Sequence, residues 1–210
     1  MKKALFITGT DTDVGKTHVA CQMIEQYIAE GLAVIGMKPV AAGCELVDGE
    51  WVNEDVQKLT AASNVEAPQE LINPYCFNEY IAPHLAAEKA GVTIRIEKIE
   101  QAYNQLTTMA DVVIVEGAGG FLVPLNSNDS LADLAEALAI PVVLVVGMKL
   151  GCINHSLLTV EAIKARGLTL HGWVANQIDP EMTLLEENVQ TISDQLKLAP
   201  MFESKWSGSS

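Results

Sequence analysis

The sequence predicts an α/β fold in which a mainly parallel β-sheet is flanked by helices on both faces. Short apolar runs rich in Val, Ile and Leu recur along the chain, and helical patterns separate them. The runs are continuous rather than alternating, as expected for strands buried on both faces. The predicted strands are 4–8, 33–37, 112–115, 142–146 and 170–175; the predicted helices are 16–30, 95–109, 130–139, 153–166 and 182–197.

Composition and charge limit what the chain can be. It has 210 residues, 49% of them hydrophobic, and a formal net charge of −14. Because domains commonly contain about 100–200 residues, we expect one domain over 1–203 and a loose polar tail over 204–210. The acidic balance disfavours nucleic acid and anionic membrane surfaces as partners. The apolar run 140–148 is too short to supply the roughly 20 residues of a membrane span.

The four cysteines, Cys21, Cys44, Cys76 and Cys152, are far apart in the sequence. They form no C-x-x-C pair, and the histidines show no metal-ligand spacing. We therefore expect neither a disulfide framework nor a zinc site, and we expect a reduced, cytoplasmic protein. The least regular stretch, 43–90, is rich in Gly and Pro and is predicted to be a crossover insertion near the active site.

A phosphate-binding loop is the strongest motif. The sequence 9-GTDTDVGKT-17 lies between the first predicted strand and the first predicted helix, which completes a P-loop NTPase-like arrangement. Gly15 allows close approach to a phosphate, Lys16 supplies a positive charge, and the Thr17 hydroxyl suits Mg²⁺. The first glycine stands one residue earlier than the usual pattern requires. An incidental turn is the alternative, but the order of strand, loop and helix disfavours it.

Two aspartates in this loop are unexpected, because carboxylates repel a polyphosphate unless a cation compensates them. For Asp11 we favour slightly a role as a solvated or turn-capping residue. Orientation of metal-bound water or of an amine substrate is the alternative. For Asp13 neither interpretation is preferred.

Further candidates follow two other predicted strands. Lys38 ends the second strand, at the edge where ligands bind in open parallel sheets, and suits charge stabilisation in phosphoryl transfer. Glu116 follows 112–115 and precedes a predicted glycine-rich turn, which is where a P-loop protein commonly holds Mg²⁺. Asp55 could complete the metal shell, although an acid at a helix start is more often a cap. A solvated lysine is the alternative for Lys38, although the small number of cations in the chain adds weight to the site. A surface glutamate after the strand is the alternative for Glu116, and the preceding apolar residues and the glycine cluster favour the site over it.

Together these residues resemble the dethiobiotin synthetase family. The similarity covers most of the chain. It includes GTDTDVGKT at 9–17, KPVAAG at 38–43, NPY at 73–75, PH at 83–84, VEGAGG at 115–120, VVGMKLGCINH at 145–155 and GWVAN at 172–176. The blocks at 145–155 and 172–176 have no general P-loop explanation, so they favour this family.

The resemblance implies a homodimeric ligase that closes a ureido ring on 7,8-diaminopelargonate, using CO₂ (or bicarbonate) and MgATP. A carbamate forms on one amine and is phosphorylated. The second amine then attacks the mixed anhydride, which gives dethiobiotin, ADP and phosphate.

The resemblance also implies roles for individual residues. Lys38, Lys16 and Thr12 would be catalytic. Thr17, Asp55 and Glu116 would hold the metal, and Thr12, Lys38, Cys152 and Asn154 would bind substrate. Cys152 and Asn154 belong to a segment that serves the partner subunit's site. The nucleotide-binding set is Asp13, Val14, Gly15, Lys16, Thr17, His18, Asp55, Glu116, Gly117, Ala118, Gly119, Asn176 and Gln177, in which Asn176 resembles the residue that reads the adenine edge.

The sequence departs from the family pattern at three places. Ala42 and Ala82 stand where serines that can contact substrate are usual, so two hydroxyl contacts are missing. The segment 199–206 replaces a G-x-[IL]-P sequence near the nucleotide base. Substrate orientation and preference for ATP are the properties these changes affect.

Two other classes of protein are weighed against this one. A nucleotide switch of the partitioning or septum-positioning type typically has a lysine five residues before the phosphate lysine, where this chain has Asp11. A related ligase or amidase acting on a different acid is the second alternative. A glutamine-dependent form of it would require a further domain, for which the chain has no length.

Overall fold

The computed structural model of the protein describes residues 3–205 and contains ten strands within them. In chain order they are β1 Lys3–Gly9, β2 Val34–Met37, β3 Val40–Ala42, β4 Glu45–Val47, β5 Glu50–Val52, β6 Tyr75–Phe77, β7 Val112–Gly120, β8 Val142–Gly147, β9 Leu170–Gln177 and β10 Glu203–Lys205. Six of them form one parallel sheet in the order β10-β9-β8-β1-β7-β2.

Helices cover both faces of this sheet and also occupy the segment between β5 and β7. They are α1 Lys16–Ala29, α2 Glu54–Ala62, α3 Gln69–Ile72, α4 Pro83–Lys89, α5 Ile96–Met109, α6 Leu131–Leu138, α7 Cys152–Ala165 and α8 Leu185–Leu196. The predicted parallel sheet flanked by helices is confirmed.

The continuous apolar runs form strands because both faces of the sheet are buried. Along β1, Leu5 and Ile7 belong to the core beneath α1, whereas Phe6 belongs to the core on the opposite face. Successive side chains of a strand point to opposite faces, so a strand covered on both sides needs apolar residues at every position. Each of the five predicted strands and five predicted helices is found within a few residues of its expected bounds.

The C-terminal tail prediction is wrong for its first two residues. Ser204 and Lys205 lie in β10, where Ser204 pairs with Asn176 of β9. Ser204 is buried, and its hydroxyl donates to Gln22 Oε1 at 2.9 Å. Pairing with a neighbouring strand's free edge satisfies backbone groups that composition alone suggested would be solvated. The remaining tail residues, 206–210, lie outside the described part of the chain.

The insertion predicted over 43–90 contains more regular structure than its composition suggested. Its β4 and β5 form an antiparallel hairpin, and its β6 pairs in parallel with β3, with Ala41 opposite Cys76. The pairing continues into the following loop, where the Cys44 amide donates to the Phe77 carbonyl at 2.8 Å.

This register joins Cys44 and Cys76 in a disulfide, so the expectation that no disulfide would form is wrong. The two cysteines are separated by 32 positions, and only the β3–β6 pairing brings them together. The cytoplasmic location stays a prediction. It loses its support from reduced cysteines, because disulfides are rare in that compartment. Within residues 3–205, no helix combines the length and hydrophobicity that crossing a membrane requires.

Candidate active site

A cavity of about 890 Å³ opens at the carboxyl ends of the central strands, beside the start of α1. The topology explains its location. The strand β1 lies between β7 and β8; the chain passes from β1 to β2 on the β7 side of the sheet and only later reaches β8 and β9 on the other side. Ligands of open parallel sheets bind where the strand order changes direction in this way. Polar residues on the cavity wall include Thr12, Lys16, Thr17, Lys38, Asp55 and Glu116. The structure therefore brings the three predicted catalytic residues and the three predicted metal ligands to one place.

The phosphate loop has a conformation that requires its second glycine. Gly15 has φ +81°, and a Cβ there would lie 2.1 Å from Nδ2 of Asn176. Both the left-handed backbone and the lack of space exclude a side chain. Lys16 is buried, and its Nζ donates to the carbonyl of Asp11, near the start of the same loop, at 3.1 Å.

Beside this loop, a buried lysine lies between two carboxylates. Lys38 Nζ donates to Glu116 Oε1 at 2.5 Å and to Asp55 Oδ2 at 2.8 Å. The Thr17 hydroxyl donates to the same Glu116 oxygen at 2.9 Å. Glu116 is 1% exposed, and its second oxygen, Oε2, is buried without a hydrogen-bond partner within the described residues. A buried carboxylate oxygen without a partner is suited to a cation.

Burial and charge pairing together decide the protonation states of Lys38, Lys16 and Asp55. Burial alone would lower the pKa of Lys38, but Glu116 and Asp55 more than offset it, so the pKa of Lys38 is raised and the ammonium stays charged. Burial and the nearby charge of Lys38 lower the pKa of Lys16 to about 8. Burial would raise the pKa of Asp55, but the adjacent Lys38 lowers it below its ordinary value.

Local structure explains how these side chains converge. Lys38 directly follows β2, and its backbone is held on both sides: its amide donates to the Ile72 carbonyl, and its carbonyl accepts from Asn73 Nδ2. Asn53 caps α2 by accepting from the amide of Asp55. Because Asn53 fills the capping role, the Asp55 carboxylate is available to reach Lys38, and the interpretation of Asp55 as an ordinary cap is wrong.

Glu116 does not end its strand, contrary to the prediction of a turn after it. The strand β7 continues through the glycine-rich residues 117–120, with a shift in its register against β1. Gly117, Ala118 and Gly119 are therefore strand residues that line or adjoin the cavity. A Cβ on Gly119, where φ is +69°, would lie 3.4 Å from the Thr12 hydroxyl, so the strand passes close to the phosphate loop.

The two residues expected near the adenine lie on the other side of the phosphate loop. Asn176 is fully buried at the end of β9, where its Nδ2 donates to the Val14 carbonyl at 2.8 Å. Its Oδ1 has no hydrogen-bond partner within residues 3–205. Gln177, which ends β9, is half-buried. Neither residue is part of the wall of the large cavity.

Cys152 and Asn154 lie in the first turn of α7 and do not line the cavity of their own chain. Cys152 is buried, and its amide donates to the Lys149 carbonyl at 3.0 Å. That amide is therefore engaged within its own subunit. The amides of Ile153 and Asn154 are first-turn groups, which have no acceptor inside a helix.

Sequence reasoning missed several groups near this site. Lys149 forms an ion pair with Asp11, with 3.2 Å between Nζ and Oδ2. A lysine two residues after a buried strand, at the same sheet edge, is the feature that could have indicated it. Asp11 also accepts from the adjacent Thr12 amide at 2.8 Å, so its carboxylate is bound by the loop backbone as well as by Lys149. Its turn-capping role stays a prediction.

An apolar wall faces the charged residues. It includes Val40, Ala42, Ile81, Ala82 and Val123, with Tyr80 at its rim. Tyr80 packs on Gly43, where an added Cβ would meet the ring at 2.8 Å. The cavity thus has one charged side, supplied by the main sheet, the start of α1 and, from the insertion, α2. Its apolar side is supplied mostly by β3 and by residues 80–82 of the insertion.

Oxygen donors for a metal are present in the form that a P-loop site uses. The carboxylates of Asp55 and Glu116 flank the Lys38 ammonium, and the Thr17 hydroxyl donates to Glu116; hard divalent cations prefer such oxygen ligands. Within the described residues, no group of three or more His, Cys, Asp or Glu could hold a metal ion. Any metal here would therefore take further ligands from a bound nucleotide and from water.

Comparison with known proteins gives close relatives. Residues 3–201 match a family model described as "AAA domain". "ATP-dependent dethiobiotin synthetase BioD" of Nitrosospira multiformis is 54% identical over 196 residues, which cover 93% of this chain and 85% of that protein. The protein of the same name from Aromatoleum aromaticum is 53% identical over 190 residues, covering 90% and 84%.

Solved structures are similar in fold at low sequence identity. A ParA family ATPase from Chlorobium tepidum has a TM-score of 0.57 at 13% identity, covering 99% of this chain and 86% of that chain. The septum site-determining protein MinD from Pyrococcus horikoshii, solved with Mg-ADP, has a TM-score of 0.57 at 14% identity, covering 91% and 77%. At these identities the likeness establishes the P-loop NTPase fold.

Proposed function

Because this chain belongs to the ATP-dependent dethiobiotin synthetase family and is an ATP-dependent ligase, we propose that it closes the ureido ring of dethiobiotin on 7,8-diaminopelargonate. The other substrates are CO₂ and MgATP. The observation that supports this proposal most is the buried Lys38 ammonium, held by Glu116 and Asp55 beside a phosphate loop. A fixed positive charge there suits a reaction in which negative charge develops on a carbamate and on a transferred phosphoryl group.

Thr17, Asp55 and Glu116 are the residues that would hold Mg²⁺. Their oxygen donors fit it, and the buried Glu116 Oε2 without a partner is available to it. When bound, Mg²⁺ would neutralise charge on the β- and γ-phosphates of ATP.

The chain's own cations would do the remaining charge stabilisation. Lys16 would exchange its bond to the Asp11 carbonyl for the β- and γ-phosphates. The amides at the start of α1 would face the phosphates as well, since a helix start attracts anions. Lys38 would lie between the carbamate and the γ-phosphate, and Thr12 would lie beside the reacting groups.

The proposed reaction has three steps. One amine of the substrate attacks CO₂ and loses a proton, which gives a carbamate. A carbamate oxygen then attacks the γ-phosphorus, which breaks its bond to ADP and forms a carbamic–phosphoric anhydride. The second amine attacks the carbonyl carbon, phosphate leaves with the carbamate oxygen, and the amine's proton is released as the ring closes.

Binding of the other groups is proposed by family resemblance. Asn176 and Gln177 would contact the adenine. In a homodimer, the segment that contains Cys152 and Asn154 would hold the substrate carboxylate in the neighbouring subunit's site. Because the Cys152 amide is engaged with Lys149, the Ile153 and Asn154 amides suit this role better. No nucleic acid or membrane partner is proposed.

The proposal can be tested with purified protein, MgATP, the diamine and a short pulse of ¹⁸O-labelled CO₂ in ordinary water. We expect release of ADP that requires the diamine, formation of dethiobiotin, and one ¹⁸O atom in the released phosphate. The label distinguishes the carbamate route from simple hydrolysis, in which the phosphate oxygen comes from water. Equal ATPase activity without the diamine, or unlabelled phosphate throughout, would contradict the proposal.

A further inference from the structure

We propose that Lys149 is a positioning residue of the nucleotide site, which neutralises Asp11 so that a carboxylate can stay in the phosphate loop beside a bound triphosphate. This inference rests on the proposed binding of ATP at the phosphate loop. It concerns a contact between two segments that are 138 positions apart in the chain.

The geometry gives each Asp11 oxygen its own partner. Oδ2 lies 3.2 Å from Lys149 Nζ, and Oδ1 accepts the Thr12 amide at 2.8 Å. Burial would raise the pKa of Asp11, but the Thr12 amide and Lys149 lower it, so the group stays ionised. The carboxylate therefore carries a full negative charge that needs a compensating cation.

Asp11 lies close to where phosphates would bind. Its carbonyl accepts from Lys16 Nζ at 3.1 Å, and Lys16 is the lysine expected to hold the β- and γ-phosphates. Lys16 Nζ thereby links the Asp11 backbone to the place where a triphosphate would bind, so the charge of the Asp11 carboxylate would act on that triphosphate. In a chain of net charge −14, an uncompensated Asp11 would add to an already unfavourable field.

Lys149 is held in place by its backbone neighbours. It lies two residues after the end of β8, and the Met148 amide before it donates to the Asn176 carbonyl at 2.8 Å. Its own carbonyl accepts from the Cys152 amide at 3.0 Å. The Thr10 amide donates to the Val145 carbonyl at 3.0 Å, which ties the start of the phosphate loop to the same strand. These hydrogen bonds fix the backbone from which the Lys149 ammonium reaches the phosphate loop.

Lys149 acts through Asp11 rather than on the ligand itself. It does not line the cavity, and both side chains of the pair are roughly half-exposed, at 41% and 46%. A pair with this exposure adds little to folding stability, because water screens it. Its main effect should appear when a polyanion is bound next to one of its members. The nearby His155 also acts to lower the pKa of Asp11.

A double-mutant cycle tests the inference through binding alone, with the magnesium complex of the non-hydrolysable analogue AMPPNP as the probe. Lys149→Met should raise the Kd roughly five-fold at low salt, and less at high salt. Asp11→Asn keeps the oxygen that accepts from Thr12 but removes the charge, so this variant should bind at least as tightly as the unmodified protein. The double variant should return to within about two-fold of the unmodified protein.

Controls separate electrostatic from structural effects. Lys149→Arg should retain tight binding, and Lys89→Met, which removes a lysine of a similarly exposed pair with Glu79, should leave the Kd unchanged. Melting temperatures should stay equal across the set. A double variant as weak as Lys149→Met, or a Kd that Lys149→Met leaves unchanged, would overturn the inference. Failure of the unmodified protein to bind the analogue would overturn the nucleotide proposal with it, whereas binding without synthesis of dethiobiotin would contradict the proposed reaction alone.

Discussion

The carboxyl edge of the six-stranded sheet and the insertion that follows β2 supply opposite sides of the same cavity. The sheet edge provides charge: Lys16, at the start of α1, and Glu116, in the buried strand β7, are both nearly inaccessible. The insertion, together with the strand β3 that leads into it, provides Asp55 and an apolar wall that contains Ala42 and Ala82. It is held by a short two-stranded sheet, side-chain hydrogen bonds and a disulfide. The difference suggests that the reaction depends on the sheet edge, whereas the fit of the substrate depends on the insertion.

The largest expected effect lies at the junction of the two regions. Lys38→Met keeps the length of the side chain but removes the charge that we propose acts on the carbamate and the γ-phosphate. We expect a loss of roughly 10²- to 10³-fold in kcat, which is typical of removing a group that stabilises transition-state charge. Binding of MgAMPPNP should change little, because Lys16 and the loop amides hold the phosphates. Steady-state kinetics and calorimetry measure the two effects separately.

The matched control is Lys164→Met on the exposed surface of α7, where turnover should stay unchanged. A Lys38 variant with full turnover would remove Lys38 from the mechanism. A variant that loses nucleotide binding as completely as turnover would mean that Lys38 belongs to the phosphate site instead. Either result would contradict the assignment of the reaction to the charged sheet edge and of substrate fit to the apolar wall.

The next effect concerns the stability of the insertion. The Cys44–Cys76 disulfide closes a loop with a separation of 32 positions. Closing such a loop restricts the unfolded chain, and its loss should lower the free energy of unfolding by roughly 2–4 kcal/mol. Cys44→Ser/Cys76→Ser should show this loss in denaturant titrations. KM for the diamine should rise while binding of MgAMPPNP is retained, because the affected segment forms the apolar wall.

Thiol counting checks the same point directly. Unfolded but unreduced protein should react at two of its four cysteines, Cys21 and Cys152, and at all four after reduction. Cys21→Ser should still lose stability on reduction, whereas the double serine variant should not respond to reductant. Four reactive thiols before reduction would contradict the disulfide.

The same contrast explains which features the sequence could predict. The strands, the phosphate loop and Glu116 are encoded locally, since a continuous apolar run predicts a buried strand and its end predicts the edge of the sheet. The convergence of Asp55 on Lys38 required the family resemblance, because an acid in a first helical turn is usually a cap.

Two contacts depended on distant register instead. The disulfide exists because Ala41 pairs with Cys76, and the Asp11–Lys149 ion pair joins two loops at neighbouring strands. Residue spacing carries no information about such pairings. The short strand β10 was missed for a related reason: its polar sequence is stabilised by a free sheet edge and by the contact of Ser204 with Gln22.

The smallest expected effect tests the substrate side alone. Ala42 and Ala82 line the apolar wall, and the family resemblance predicts serine at both positions. If the missing hydroxyls cost the chain two substrate hydrogen bonds, Ala42→Ser/Ala82→Ser should lower KM for the diamine by a few-fold, about 1 kcal/mol for one net hydrogen bond. KM for ATP should not change, because neither residue adjoins the phosphate loop. A fall in both KM values would show that the wall influences the charged edge, and no change in either would mean that other groups already make those contacts.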